Sequence, residues 1–228
     1  MQILGLEKVS MVDYPGEVCA TVFTGGCNYR CKFCHNSGIV NKDYSGYEED
    51  CIFDYLASRK SLIKAVTISG GEPTLQKDLR AFIERLKSEG YLVKLDTNGT
   101  NPFVLNTLIR DKLIDYVAMD IKTCFDDYNT VTNVKDSSVD NVKRSLEILL
   151  AGNVDYELRT TLVKEFHDKD KIAKMAEDIK GAKRLYLQKF KNSATCFDAT
   201  LNPVSFADAN IFKDILSQTV GKVELRGY

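Results

Sequence analysis

Residues 25–36 read Gly25-Gly26-Cys27-Asn28-Tyr29-Arg30-Cys31-Lys32-Phe33-Cys34-His35-Asn36 and place three thiols within eight residues, in the spacing C-x3-C-x2-C. An apolar run directly before them, 18–23, is typical of a buried strand. Thiolates are soft ligands that suit an iron–sulfur cluster or zinc. Three cysteines on a four-iron cluster leave one iron without a protein ligand, which is the equivalent of the open position at a catalytic metal.

The other residues of this loop fit the same interpretation. Gly25 and Gly26 allow a sharp turn and a close approach of the backbone to inorganic sulfur. Phe33 is expected to shield the cluster from solvent. The competing interpretation is a zinc site completed by His35, because C-x2-C followed by histidine is also ligand-like. His167, the other histidine, lies in a charged segment and is expected to be solvated.

Composition excludes several classes of protein. The chain has 228 residues, with 44% hydrophobic residues, 28% charged residues and a formal net charge of -1, so there is no electrostatic case for nucleic acid or for an anionic membrane surface. No apolar run approaches the roughly 20 residues of a membrane span, and residues 1–4 do not resemble a secretory signal. These features predict a cytoplasmic protein. Four further cysteines are expected to be small apolar packing residues and not a disulfide framework: Cys19, Cys51, Cys124 and Cys196.

Apolar segments alternate with amphipathic helical patterns along the chain. Strands are predicted near 17–24, 65–68, 91–95, 116–119, 154–163 and 185–187, with a short last strand at 222–225. Helices are predicted near 45–58, 75–86, 102–112, 138–150, 172–179 and 205–218, and 123–136 is predicted to be a polar loop. This order requires parallel strands with right-handed crossovers.

The fold class that follows is α/β, a partial (β/α)6 barrel with parallel strands. There is room for six βα units and not for the eight of a closed barrel. Because no low-complexity linker divides the chain, we expect a single domain over 1–228, made of an N-terminal leader (1–16), a βα core (17–190) and a C-terminal extension (191–228).

Polar motifs fall at the carboxyl ends of the predicted strands, which is the edge where parallel α/β folds bind ligands. After the cysteine loop these motifs are Gly70-Gly71-Glu72-Pro73, Asp96-Thr97-Asn98-Gly99, Asp120-Ile121-Lys122, Arg159 and Gln188. Turn chemistry alone would distribute such residues over both edges. One end of the fold therefore has the composition of an active site.

Each motif has a structural alternative. The Gly-Gly-Glu-Pro turn can accept hydrogen bonds from a ligand ammonium, or it can simply join a strand to a helix. The segment 96–99 can bind ribose hydroxyls or a hard cation, or it can close its strand as an Asx turn. Asp120 and Lys122 share a strand face, so they can serve a ligand or pair with neighbours. Arg159 on a buried strand needs an anionic partner, either a protein carboxylate or a ligand.

The cysteine spacing with an aromatic residue before the third cysteine, followed by Gly-Gly-Glu-Pro after the next strand, resembles the radical S-adenosylmethionine (SAM) superfamily. Residues 10–16, 23–31, 96–99 and 118–122 are similar to glycyl-radical-enzyme activases, in particular to activating proteins of anaerobic ribonucleoside-triphosphate reductase and to pyruvate formate-lyase activase. The resemblance covers about residues 8–190. It implies a radical SAM core for the predicted barrel.

The resemblance implies a [4Fe-4S] cluster held by Cys27, Cys31 and Cys34, with SAM chelating the open iron. It also implies reductive cleavage of SAM to a 5′-deoxyadenosyl radical that takes a hydrogen from a glycine of a partner glycyl-radical enzyme, with reduced flavodoxin or ferredoxin as the electron donor. A monovalent cation near the SAM carboxylate is a further implied ligand, and Asp13 is an implied substrate residue. The implied cofactor-binding residues are Phe33, His35, Gly70, Gly71, Glu72, Asp96, Thr97, Asn98, Asp120, Lys122, Arg159 and Gln188.

Two departures from the activases leave the substrate open. Residues 36–69 contain only Cys51, so no second cluster is expected there, and 191–228 has no counterpart that can be carried over. Two alternatives therefore stand beside the activase: a radical SAM enzyme that acts on a small molecule, and a non-catalytic module that binds zinc or an iron–sulfur cluster.

Overall fold

The strands of the chain form one sheet in which spatial order follows chain order. The computed structural model describes residues 1–41 and 43–228, and within them the sheet has eight strands. They are β1 (Ile3–Ser10), β2 (Cys19–Thr24), β3 (Ala65–Gly70), β4 (Leu92–Thr97), β5 (Tyr116–Asp120), β6 (Asp155–Leu162), β7 (Leu185–Lys189) and β8 (Val223–Arg226). Strands β2 to β8 are parallel, and β1 pairs antiparallel with β2.

Helices connect each parallel strand to the next. They are α1 (Ser37–Asn41), α2 (Glu49–Ser58), α3 (Leu79–Ser88), α4 (Pro102–Arg110), α5 (Tyr128–Thr132), α6 (Val139–Leu150), α7 (Lys169–Asp178) and α8 (Phe206–Leu216). Strands β2 to β7 with their helices make six βα units, and β1 and β8 are the two edges of an open sheet. The predicted fold class is confirmed. None of the helices described is long and apolar enough to cross a bilayer.

The two faces of the sheet differ in chemistry because side chains alternate along each strand. In β3, Val66 and Ile68 are fully buried in the same apolar core as Phe82 of α3. Thr67, between them, points the other way, and its hydroxyl donates to the Asp13 carbonyl at 3.3 Å. The helices thus cover an apolar face, and the opposite face encloses a polar interior that leads to the carboxyl ends of the strands.

The structure corrects several local predictions. Strand β1 lies inside the predicted leader and was not predicted. Leu75 was predicted on a helical stripe, but it belongs to a three-residue 3₁₀ turn, Pro73–Leu75, and is 45% exposed, because so short a turn presents no continuous face. The predicted loop 123–136 contains helix α5, whose Tyr128 is buried. Helix α2 starts late because Tyr47 N donates to Ile3 O at 2.8 Å. The division into leader, core and extension stays a prediction.

The first prediction concerns the apolar core. Phe82 is 1% exposed, and Phe82→Ala removes a buried ring, so we expect the free energy of unfolding to fall by roughly 3–5 kcal/mol. Phe103 of α4 is 79% exposed, and Phe103→Ala is the matched control, with a change of about 0.5 kcal/mol or less. Urea unfolding of both variants gives the comparison. Equal losses would contradict the assignment of the core.

Candidate active site

A cavity of about 260 Å³ opens at the carboxyl edge of the sheet. It brings together the three clustered cysteines and all but one of the residues predicted to bind cofactor. Its lining is Cys27, Tyr29, Cys31, Phe33, Cys34, His35, Asn36, Val40, Ser69, Gly70, Gly71, Asp96, Thr97, Asn98, Asp120, Lys122, Arg159, Thr161 and Gln188. The motifs at the strand ends therefore share one cavity, and their role in binding a cofactor stays a prediction.

The cysteine loop is held against the Gly-Gly turn by a close backbone contact. The amide of Glu72 donates to Gly26 O at 2.9 Å, and a Cβ on Gly71 would lie 1.9 Å from the same oxygen. Gly70 has a φ of +110°, a conformation that residues with a side chain rarely adopt. Only two glycines at these positions allow the two loops to approach so closely.

The three thiols share this cavity without being bonded to one another. All are free, and burial raises the pKa of Cys27 to about 11 and that of Cys31 to about 12, and it also raises the pKa of Cys34. Buried thiols with raised pKa values must release protons when they bind a metal centre. The described residues contain no group of three His, Cys, Asp or Glu side chains arranged for a single metal ion.

His35 does not turn toward the cysteines as the zinc interpretation requires. Its Nε2 contacts the Lys191 carbonyl, and its ring lies 5.5 Å from that of Phe190. The sulfur of Cys27, by contrast, has polar neighbours: Tyr29 N at 3.4 Å and Asn98 Nδ2 at 3.9 Å. Hydrogen bonds to cluster thiolates are one way in which a protein tunes a reduction potential.

A row of alternating charges crosses the polar wall of the cavity. Lys94 Nζ lies 2.9 Å from Asp96 Oδ1, and Arg159 Nη1 donates to Asp96 Oδ2 at 3.1 Å. Arg159 Nε donates to Asp120 Oδ1 at 2.9 Å. Lys122 Nζ donates to Asp120 Oδ2 at 2.8 Å. The anionic partners of Arg159 are therefore protein carboxylates, one of the two alternatives that the sequence left open.

This row carries three cations and two carboxylates, so one positive charge remains for a ligand. Burial disfavours charge on these groups, but their mutual attraction outweighs it. The pKa of Asp120 falls to about 2 beside Arg159 and Lys122, and the pKa of Asp96 is lowered beside Arg159 and Lys94. The pKa values of Arg159 and Lys122 are raised, chiefly by Asp120. Asp96, Asp120, Arg159 and Lys122 thus stay ionised near neutral pH, and Lys122 and Arg159 suit an anionic ligand group.

Glu72 is the predicted cofactor residue that does not line the cavity. Its side chain is fully buried, and Oε1 accepts from Thr74 N at 3.1 Å and from the Thr97 hydroxyl at 2.8 Å. Oε2 accepts from Asn98 N at 2.6 Å. Burial raises its pKa, and these hydrogen bonds oppose the rise. The carboxylate ties the Gly-Gly-Glu-Pro turn to the segment 96–99, so its geometry is that of a positioning residue and not of a direct ligand contact.

Three other expectations from the sequence do not fit the structure. Asp13 lies away from the cavity, where its side chain accepts from the Thr21 hydroxyl at 2.8 Å, so this placement does not support a substrate contact. His167 is buried and not solvated: its ring bridges to the Lys122 carbonyl at 3.0 Å. Cys51 is exposed on α2 and is not a packing residue, because its side chain points to solvent from the outer face of the helix.

The sequence reading missed some residues of the cavity wall. Thr161 lies two positions after Arg159 on β6, so the two-residue period of a strand could have found it. Lys94, which is buried behind the cavity lining, is related to Asp96 on β4 in the same way. Ser69 immediately precedes Gly70. For Val40, on α1, no local signal exists, because only the folded loop brings this helix to the cavity.

Comparison with known proteins assigns the family. The sequence profile of the radical SAM superfamily matches residues 21–179. The chain belongs to the radical SAM superfamily. It is 37% identical over 196 residues to a protein of Methanocaldococcus jannaschii that is named as a candidate glycyl-radical enzyme activating enzyme, with 83% of this chain and 80% of the relative covered. A second such protein of that organism is 30% identical over 164 residues, covering 69% of this chain and 61% of the relative.

Structural comparison supports the same fold. A solved domain of pyruvate-formate lyase-activating enzyme from Bacteroides vulgatus superposes with a TM-score of 0.56 at 20% identity, covering 72% of this chain and 99% of that domain. Members of the superfamily use a [4Fe-4S] cluster and SAM, which confirms the predicted cofactors. The residues present fit these groups, since three free thiols and the paired charges of Asp96, Asp120, Lys122 and Arg159 face one cavity.

We predict that stability depends on pH through the charged row. The folded-state pKa of Asp120, about 2, lies below the roughly 3.9 of an unfolded aspartate, so its ion pairs stabilise the fold above pH 4 and that stability is lost as the pH falls toward 2. Asp120→Asn should remove this contribution, on the order of 2 kcal/mol at neutral pH, and flatten the unfolding free energy between pH 5 and 2. Urea titrations of the metal-free protein measure it, with exposed Asp140→Asn as the control. If the unfolding free energy of Asp120→Asn depended on pH as steeply as that of the wild type, the stabilising role of the charged row would be contradicted.

A separate prediction concerns the monovalent cation that the resemblance implies. Lys94 and Arg159 already neutralise Asp96, so SAM affinity should not change when choline replaces K⁺ and Na⁺. Lys94→Met should weaken SAM binding in choline by about tenfold, because it leaves a buried carboxylate under-compensated, and K⁺ should restore part of the loss. Equilibrium SAM binding measures both effects. A wild-type requirement for K⁺ would support a bound cation instead.

Proposed function

We propose that this protein is a radical SAM activase that generates a glycyl radical on a partner enzyme, with anaerobic ribonucleotide reductase as the target. The observation that carries the proposal is the meeting of Cys27, Cys31 and Cys34 with the cavity-lining members of the charged row, Asp96, Asp120, Lys122 and Arg159, at the carboxyl edge of the sheet. The similarity to a relative named as an activating enzyme, over most of both chains, supports the choice of substrate class. A cytoplasmic location is part of the proposal.

Together the two cofactors, once bound, supply a 5′-deoxyadenosyl radical by one-electron cleavage of SAM. The chain's residues hold and orient them. Cys27, Cys31 and Cys34 would hold the cluster, and the excess charge of the row, at Lys122 and Arg159, would receive the SAM carboxylate. Phe33 is buried beside the cysteines and keeps water from this side of the cavity.

The Gly-Gly-Glu-Pro turn positions the ligands. Gly70 and Gly71 line the cavity beside the cluster loop, where the SAM ammonium would approach the turn. Glu72 keeps that turn in register with Thr97 and Asn98, and Asn98 in turn contacts the Cys27 sulfur. A small displacement of these loops would move both cofactors, so their mutual hydrogen bonds serve orientation.

The open sheet supports a protein substrate in preference to a small one. Strands β1 and β8 are not paired with each other in the described chain, so the cavity is not enclosed by a complete ring of strands. A glycine-bearing loop of a partner can approach a site of this shape more easily than the interior of a closed barrel. The electron donor of the proposal is reduced flavodoxin or ferredoxin.

The deciding experiment uses anaerobically reconstituted protein, SAM, a reductant and the large subunit of an anaerobic ribonucleotide reductase. We expect a glycyl-radical EPR signal and SAM cleavage. Cys31→Ala should lose the cluster and both signals, since two thiolates do not secure it. Cys51→Ala is the matched control and should retain iron and activity, because Cys51 is exposed and remote from the cavity.

Three outcomes would redirect the assignment. SAM cleavage that never depends on a glycyl-radical enzyme but responds to a small metabolite would favour a small-molecule enzyme. A reconstituted cluster whose EPR spectrum ignores SAM would favour a non-catalytic module. Full iron content and activity in Cys31→Ala would contradict the assignment of Cys27, Cys31 and Cys34 as the cluster ligands.

A further inference from the structure

The outer side of the cysteine loop forms a second concave surface, away from the cavity mouth. This groove, of about 400 Å³, is lined by Lys32 of the cysteine loop, by Asn133 and Lys135 after α5, and by Phe166 after β6, among others. Its floor is well fixed. Arg30 N donates to the Thr132 carbonyl at 3.0 Å, so the cysteine loop and the end of α5 form one surface.

A pair of packed aromatic rings connects the groove with the cavity. Phe33 lines the cavity and Phe166 lines the groove, and their ring centroids are 6.1 Å apart. Both rings are buried. Because Lys32 and Phe33 lie between the second and third cysteines, the groove lies directly beside the segment that carries two of the cluster ligands.

The groove is locally positive on a chain whose net charge is -1. Its charged lining residues, Lys32 and Lys135, are both lysines and both exposed, and exposed Arg30 adjoins them. In the described part of the chain neither lysine forms an ion pair within 4.0 Å. Two carboxylates lie nearby, fewer than the three cations: Asp136 accepts from Ser138 N, and Asp198 accepts from Thr200 and interacts electrostatically with Lys32.

A chemical constraint applies to this surface. Each SAM cleavage consumes one electron, and the cavity mouth must then hold SAM and admit the substrate. A reductant that used the same mouth would compete with both. A protein reductant therefore needs a second route, and the groove offers an aromatic contact with the cavity together with exposed lysines.

We propose that this groove is the docking site of an acidic one-electron carrier protein, and that Lys32 and Lys135 steer it. The inference rests on the proposed function, because it assumes that the cluster is reduced by a protein. One electron leaves the carrier and crosses the Phe33–Phe166 pair into the cavity, with no bond formed or broken and no proton transferred. Such redox encounters bury little area and depend on complementary charge for their association rate.

The test compares a protein reductant with a small one, using reduced flavodoxin and dithionite as the two probes. Lys135→Glu and the double variant Lys32→Glu/Lys135→Glu are measured against Lys180→Glu, a control whose side chain is 68% exposed and lies at the opposite edge of the sheet. Two readouts are taken at low ionic strength: the dissociation constant of flavodoxin for the protein, and the rate of cluster bleaching in stopped flow.

We expect flavodoxin to bind the double variant about tenfold more weakly and to reduce it about tenfold more slowly, with a flatter dependence on salt. Dithionite should reduce every variant at the wild-type rate. Unchanged flavodoxin kinetics in Lys135→Glu, which is outside the cysteine loop, would overturn the proposal, as would an equal loss in Lys180→Glu or a parallel loss with dithionite.

This experiment contains no glycyl-radical enzyme, so its result is independent of the partner assignment. A protein that shows the lysine dependence but produces no glycyl radical would keep the docking site and lose the proposed function. A protein that activates its partner without the lysine dependence would keep the proposed function and lose the docking site.

Discussion

The contact between Gly26 and the Gly70-Gly71-Glu72 turn is the constraint on which the site depends. It brings the backbone after β2 within hydrogen-bonding distance of the backbone after β3, where no side chain larger than hydrogen fits. Two neighbouring strand ends are thereby joined into one wall. The buried carboxylate of Glu72 extends this wall to the segment after β4 through Thr97 and Asn98. The positions of the thiols follow from a chain of backbone contacts and not from the cysteines themselves.

The charged row is the second organising feature, and the free-energy cost of burying charges explains why its members are paired. Isolated charges inside a protein are unfavourable. Each member of the row therefore has an oppositely charged neighbour, either on the next strand or two positions away along the chain. Asp120 and Arg159 are direct neighbours in the parallel register of β5 and β6. The row ends in Lys122, with one positive charge more than its carboxylates neutralise. An anionic ligand completes it, which links the energetics of the fold to binding.

Helix α5 and its flanking turns illustrate what local sequence patterns do not predict. Its five residues are too few to show a periodic apolar stripe, so the sequence reading described a polar loop. In the fold this helix supports the cysteine loop from outside: Tyr29 donates to the Ser137 carbonyl at 2.7 Å, and the Tyr29 and Tyr128 rings lie 6.5 Å apart. Likewise, Lys94 resembles an ordinary strand lysine in the sequence. In the fold its ammonium donates to the Asp13 carbonyl and pairs with the Asp96 carboxylate. His167 is buried in the fold, where its ring contacts the carbonyl of Lys122, 45 positions away in the chain.

The sequence by itself determined the alternation of strands and helices, the parallel sheet, the edge that carries the site and the three thiols, because these depend on periodicity and on motifs a few residues long. Of its twelve candidate cofactor-binding residues, eleven line the cavity, since strand ends mark that edge. Tertiary structure alone decided which partners satisfy Arg159, that Glu72 faces the loops and not the ligand, and that Asp13 lies away from the cavity. Those outcomes depend on side-chain direction and on contacts between residues far apart in the chain, and neither is encoded in local pattern.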